Sequence, residues 1–186
     1  MEMHLSLLWL HGPNSSMPHA TPTNKKIEFG DVVLIDMGCR YQGYCSDMTR
    51  TIFMDEISEE MKKAYNAVLE NQDLMFRHIG DGENITVTCK TIEANLEKEG
   101  YGLIHAMGHG VGLESHEKPF LSTKKDIILK ENMIITNEPG VYMPGEFGIR
   151  IEDTVLVGKI RQHRPNQIHK RHYSYMKRTV ENGKFM

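Results

Sequence analysis

The sequence predicts an α+β fold, with β-rich segments before and after a central pair of helices. Two observations carry the prediction. Apolar runs rich in Val, Ile, Thr and Tyr, punctuated by glycine, occupy residues 32–54 and 105–157. Between them the period changes, and apolar residues recur at three and four. A third observation ties the strands to chemistry, because each β-rich region carries a pair of carboxylates that its hairpin brings together.

In chain order, MEMHLSLLWLH opens with an apolar stretch from Leu5 to Leu10, but it lacks the basic flank and small-residue cleavage site of a secretory leader. Residues 11–31 contain Gly12, Pro13, Pro18, Pro22 and Gly30 and read as loop with short extended pieces; His19 lies there. Val32 to Ile35 then run into Asp36, and a polar turn leads to a second β-rich run carrying Asp47. With Tyr41 and Gln42 as a two-residue loop, Asp36 stands directly opposite Asp47.

The helical stretch begins at Ser58, placed to cap, and Met61, Tyr65, Val68, Met75, Phe76 and Ile79 form its apolar stripe, with Gly80 to stop it. Gln72 is the one polar lapse in that stripe. A second helix is predicted from about Thr86 to Glu99, with Val87, Ile92 and Leu96 on one face and Gly100 at its end. Three extended segments follow, in HAMGHGVGLESHEKP, MIITNEPGVYM and FGIRIEDTVLV. The last two form a hairpin whose loop, Pro144, Gly145 and Glu146, places Glu138 opposite Glu152. An acidic hairpin on each side of the helices suggests two similar halves.

Like charges directly opposite one another on a sheet destabilise it. Four carboxylates in two facing pairs therefore need two cations, or one cation and several protons, to share a partly buried site. His109, inside the glycine-rich GHGVG, is a candidate nitrogen ligand, and its flanking glycines let backbone approach closely. One imidazole with four carboxylates is a hard, oxygen-rich set that suits Mn(II), Co(II) or Fe(II) better than a structural zinc. Paired metals about 3.5–4 Å apart imply hydrolysis of a clamped carbonyl. His105 and His116 flank His109 and read as metal- or substrate-facing donors.

With 186 residues the chain fits one domain with a real core. It contains no apolar run of 18 residues, so no membrane partner is expected. Cys39, Cys45 and Cys89 show no CxxC spacing and suit reduced thiols in a cytoplasmic protein. Charge is unevenly placed: residues 1–158 hold 14 Lys and Arg against 24 Asp and Glu, and residues 159–186 hold 8 against 1. Such a basic tail can bind nucleic acid, but a solvated segment, or one packed on the domain's own acidic face, is the simpler expectation.

Taken together, PHATP, IDMGCRYQGYCSDMTRT, HAMGHGVGLESHE, NEPGVY and GIRIEDTVLV resemble the catalytic domain of proline-specific metallopeptidases, Xaa-Pro aminopeptidase and Xaa-Pro dipeptidase (prolidase), from residue 12 to about 158. The resemblance implies the pita-bread fold and hydrolysis of the bond between an N-terminal residue and proline. It implies Asp36, Asp47, His109, Glu138 and Glu152 as ligands of two divalent metals, with Mn(II) ahead of Co(II), Fe(II) and Zn(II), and with Asp47 and Glu152 bridging. It also matches His19, His105 and His116 to histidines that meet substrate and transition state, Arg150 to an arginine near the metals, and Glu138 to a proton shuttle. Methionine aminopeptidase shares the ligand set, but SDMTRT and EPGVY followed by FGIRIEDTVLV are closer to the proline-specific branch.

The chain departs from that family at both ends. A helix pair mirroring 58–99, and the N-terminal domain of the full-length enzymes, have no counterpart, so the sequence reads as a domain truncated at its N-terminus, residues 1–158, followed by an unrelated basic tail, 159–186. A pita-bread module that binds metal, peptide or a protein without turnover is the alternative reading. One helix pair leaves half of the sheet's outer face bare. At about 25 cal/mol per Å², roughly 500 Å² of uncovered apolar surface forgoes on the order of 12 kcal/mol, comparable to a whole domain's stability of about 5–15 kcal/mol. The expectation is a homodimer.

Overall fold

The computed structural model of the protein describes residues 4–18 and 20–159. His19 and the tail beyond Lys159 lie outside the described residues. The class is α+β as expected. Strand β1 (His4–His11) pairs antiparallel with β2 (Val32–Tyr41) through eight register pairs, from His4 with Arg40 to His11 with Val33. The run of leucines in this opening stretch has no clean alternation, so its pairing with β2 is a feature of the tertiary structure. A short 3-10 turn (Gly12–Ser16) follows the strand.

The chain turns back from β2 into β3 (Tyr44–Cys45) and β4 (Met48–Phe53). Its loop is Gln42 and Gly43, both at positive φ (50° and 89°), rather than Tyr41 and Gln42. Positive φ at both central positions is what a two-residue hairpin turn needs, and glycine supplies the second at no steric cost. The register therefore slips by two residues from the expected one, and Asp36 faces Thr49 instead of Asp47. An even slip preserves the alternation of faces, so both aspartates remain on the same side of the sheet.

Helix α1 (Glu59–Phe76) starts where expected, with the Ser58 side chain accepting from the Met61 N–H. It ends before Gly80, and the His78 ring Nδ1 lies 2.9 Å from the Leu74 carbonyl at that end. Helix α2 (Ile85–Lys98) is capped by Asn84. Its buried face is Ile85, Cys89, Ile92 and Leu96, whereas Val87, expected on that face, is 61% exposed.

The remaining strands are β5 (His109–Gly110), β6 (Glu117–Phe120), β7 (Ile134–Asn137), β8 (Gly140–Met143), β9 (Phe147–Arg150) and β10 (Asp153–Leu156). Strands β10, β7, β5 and β6 form a sheet in that order, and β8 pairs with β9. Here the expected register holds: Gly140 pairs with Arg150, Met143 with Phe147, and Asp153 with Asn137. Glu138 and Glu152 lie between these two ladders in the same register.

The main core joins Val32 and Phe53 of the first sheet to Tyr65, Val68 and Met75 of α1, to Ile85, Ile92 and Leu96 of α2, and to Ile135 and Val155 of the second sheet. Both helices are thus packed where they fix the ends of the two acidic hairpins. On the first sheet, Leu8 and Leu10 pack with Leu34 and Tyr142 on the Asp36 side. On its other side Leu7 and Trp9 are 47% and 44% exposed.

Candidate metal centre

All five expected metal ligands come from strands or from residues directly beside them. Asp36 sits in β2, His109 opens β5, Glu138 follows β7, and Glu152 links β9 to β10. Asp47 precedes β4, its backbone held on both sides by Thr154, whose hydroxyl donates to the Asp47 carbonyl (2.7 Å) and accepts from its N–H (3.3 Å). Gly38 lies between the two aspartates in sequence, where an added Cβ would meet the Ser46 carbonyl oxygen at 2.5 Å. Its lack of a side chain lets the hairpin close beside the site.

The ligand atoms converge. Atoms of His109, Glu138 and Glu152 lie within 4.8 Å of one another, as do those of Asp36, Asp47 and Glu152, and those of Asp47, His109 and His116. Glu152 belongs to two of these groups, and so does Asp47. His109 Nε2 is 3.3 Å from Glu138 and 3.7 Å from Asp47, while its Nδ1 donates to the Gly110 carbonyl at 3.0 Å. That leaves Nε2 for a cation. Two threonines orient carboxylates: Thr49 donates to Glu152 (2.6 Å), and Thr136 donates to Glu138 (3.3 Å) while accepting from the His109 N–H (2.9 Å).

Electrostatics show that these carboxylates are crowded. Burial and the neighbouring Asp36 push the Asp47 carboxyl up to about 6. Burial also lifts Glu138 to about 8, with Asp47 adding and Arg150 opposing. Glu152 is raised well above its ordinary value by burial, Glu138 and Asp47. Burial lowers His109, favouring the neutral imidazole that ligation requires. Raised carboxylates beside a neutral imidazole are a set whose self-repulsion divalent cations would relieve, and the hard, oxygen-rich donors fit such cations.

Arg150 is nearly fully buried and its guanidinium binds Asp36, the Tyr142 hydroxyl (2.7 Å) and the Thr49 hydroxyl (3.1 Å). It serves as the fixed counter-charge of Asp36. His105 lies 2.9 Å from the Tyr142 hydroxyl through Nε2 and 2.6 Å from the Ala106 carbonyl through Nδ1, so both ring nitrogens are engaged by protein. His116 is exposed and its ring stands 4.2 Å, centroid to centroid, from that of His109. His105, His109 and His116 all line a cleft of 530 Å³ with Asp36, Asp47 and Glu138. Sequence reasoning missed Tyr142, buried in β8 with its hydroxyl pushed up to about 12, and the threonines. Tyr142 stands in the quoted EPGVY segment, but nothing in spacing tells a core tyrosine from one that joins two site residues.

A model of metallopeptidase family M24 matches residues 3–159. The chain belongs to this family. The M24 match begins at residue 3, so β1 lies within it, ahead of the Gly12 at which the sequence resemblance was placed. Among curated relatives, an uncharacterized peptidase of Methanocaldococcus jannaschii is 46% identical over 157 residues, covering 80% of this chain and 43% of its own length. A Pyrococcus furiosus protein named Xaa-Pro dipeptidase is 43% identical over 148 residues, covering 78% and 42%. Among solved structures, prolidase from Thermococcus sibiricus superposes with a TM-score of 0.80 at 42% identity, covering 83% of this chain and 43% of that one. X-Pro aminopeptidase from Thermotoga maritima gives 0.78 at 37% identity, covering 82% and 44%. The fold of this M24 chain is the pita-bread fold, and the chain spans less than half the length of the curated relatives it matches.

Proposed function

We propose that this centre holds two divalent cations, Mn(II) ahead of Co(II), Fe(II) and Zn(II), on Asp36, Asp47, His109, Glu138 and Glu152, and hydrolyses the bond between an N-terminal residue and a following proline. The observation that carries the reading is the set of overlapping donor groups joined through Glu152 and Asp47. The names of relatives, Xaa-Pro dipeptidase and prolidase, support the substrate class. Bound in such a site, two cations supply a lowered water pKa and a Lewis-acid clamp on the scissile carbonyl.

The chain's own residues provide the rest. Glu138, whose carboxylate lies 3.3 Å from His109 Nε2 and lines the cleft, takes a proton from the attacking water and delivers it to the departing proline nitrogen. His116, exposed to the cleft, donates to the oxygen that gains charge in the transition state. His105 orients Tyr142, and through it Arg150 and Asp36. His19, outside the described residues, is assigned to substrate contact by resemblance alone. The three free thiols, Cys39, Cys45 and Cys89, support a cytoplasmic location. Among the described residues no helix is long and apolar enough to cross a membrane.

Purified protein loaded with Mn(II) should hold two ions per chain and release the N-terminal amino acid from a Xaa-Pro dipeptide faster than from the matching Xaa-Ala. Equal rates would overturn the proline preference. Two ions without turnover would identify a non-catalytic binding module, and fewer than two would overturn the dinuclear reading.

A further inference from the structure

We propose that Gln72, a residue of α1 outside the five-ligand set, is a positioning residue that sets the spacing of Glu138 and Glu152; the inference rests on the dinuclear reading above. Gln72 interrupts the apolar stripe of α1 and is completely buried. Methionine or leucine there would continue the stripe, fill a similar volume and favour the helix at least as well. An amide in such a place is tolerated only if its polar atoms find partners.

The partners are specific. Gln72 Nε2 lies 3.3 Å from the Asn137 carbonyl, 3.1 Å from the Ile151 carbonyl and 3.1 Å from Asp153 Oδ2. Asn137 precedes Glu138, and Ile151 and Asp153 flank Glu152. The Asn137 side chain donates back to the Gln72 carbonyl at 3.0 Å. One side chain of the helix therefore grips the backbone of both arms of the second acidic hairpin, next to a ligand on each arm.

A second set of bonds reinforces the grip from the first sheet. Arg50 donates to Asp153 Oδ1 at 2.7 Å and to the Glu152 carbonyl at 2.6 Å. Asp153 is thus held between α1 and β4, and Glu152 between Asp153 and Ile151. Ligand oxygens must be placed within about 0.5 Å for productive geometry. Releasing the two carbonyls would let the arms relax apart and strain any ion held jointly by Glu138 and Glu152. Partners of this kind are worth roughly 10–100-fold in metal affinity.

The test compares Gln72→Met with Val68→Ala. Val68 lies one turn earlier in the same buried stripe, so its truncation loosens the helix without touching the network. Mn(II) affinity and stoichiometry are measured by calorimetry on metal-stripped protein, and the metal-free melting temperature by circular dichroism. Gln72→Met should weaken Mn(II) binding by roughly 10–100-fold, and Val68→Ala should lower the metal-free melting temperature with Mn(II) affinity unchanged. Wild-type affinity in Gln72→Met, or equal weakening in Val68→Ala, would overturn the positioning role. If Gln72→Met does not fold, Gln72→Leu, which likewise removes the donor from both carbonyls, takes its place, and unchanged Mn(II) affinity there also overturns the role. A wild-type protein that binds no Mn(II) would instead remove the dinuclear reading on which the role rests.

Discussion

Glu152 is the side chain that joins the two halves of the proposed centre, since its carboxylate lies with His109 and Glu138 on one side and with Asp36 and Asp47 on the other. Glu152→Ala and Asp47→Ala should each lose both ions, whereas Asp36→Ala should keep the ion beside His109 and Glu138. Metal analysis showing two ions in Glu152→Ala would refute the bridging role. Protons compete for the same atoms. In the metal-free protein Asp47 and Glu138 are raised to about 6 and about 8, above their ordinary 3.8 and 4.5. Folding therefore binds their protons more tightly than the unfolded chain does. Their contribution to metal-free stability is full below their ordinary values and is lost as pH rises through about 6 and 8. His109, lowered from 6.5, runs the other way: its contribution is present above that value and is lost as pH falls through its folded one. Cations need all these groups deprotonated. The rise in melting temperature on adding Mn(II) should consequently grow between about pH 5 and pH 8, and an equal rise at both ends would contradict the ligand set.

At the scale of elements, short strands are placed by close backbone contacts that side chains would forbid. A Cβ on Gly110 would stand 2.5 Å from the Lys118 carbonyl oxygen, and one on Gly108 would meet the Thr136 carbonyl. Both oxygens belong to backbone and cannot swing away. Gly110→Ala should push β5 from β6, carry His109 with it, and cost about 1–3 kcal/mol; reduced metal content together with a lower melting temperature checks this. Helix α1 offers the contrast. Ser58→Ala removes a cap bond to the Met61 N–H far from the ligands and should cost about 1 kcal/mol. Its metal stoichiometry should stay that of the wild type.

For the whole molecule, the first sheet presents Leu7 and Trp9 half exposed on the side away from Asp36. Neighbouring exposed apolar side chains of this size favour contact with another surface. We propose that two copies of the chain meet there. Light scattering at micromolar concentration should report a dimer, and Trp9→Lys should return it to a monomer. Trp9 is the only tryptophan, so dissociation should also shift the fluorescence of the wild-type protein to the red. A well-folded monomer that melts cooperatively would overturn the proposal.

Legible in the residues alone are the α+β class, the start of α1 at Ser58, the β7–β10 hairpin register, and a set of carboxylates with His109 that the structure gathers into one cleft. These follow from local rules: the period of apolar residues, cap chemistry, and a loop whose length fixes the pairing. Tertiary structure decided the rest. The first hairpin slipped by two residues because the chain reverses at Gln42 and Gly43, where backbone φ is positive, and the sequence offered more than one such turn. Strand β1 became legible only against β2, since a continuous apolar run has no preferred face until a partner supplies one. Gln72 stands out in the sequence as the polar lapse of its stripe, but its partners, like those of Tyr142 and Thr49, do not show there, for a related reason. Each acts through atoms that lie between 8 and 103 positions away in sequence, among them Arg150, Glu152 and Ile151, and no local pattern records a hydrogen bond across that distance.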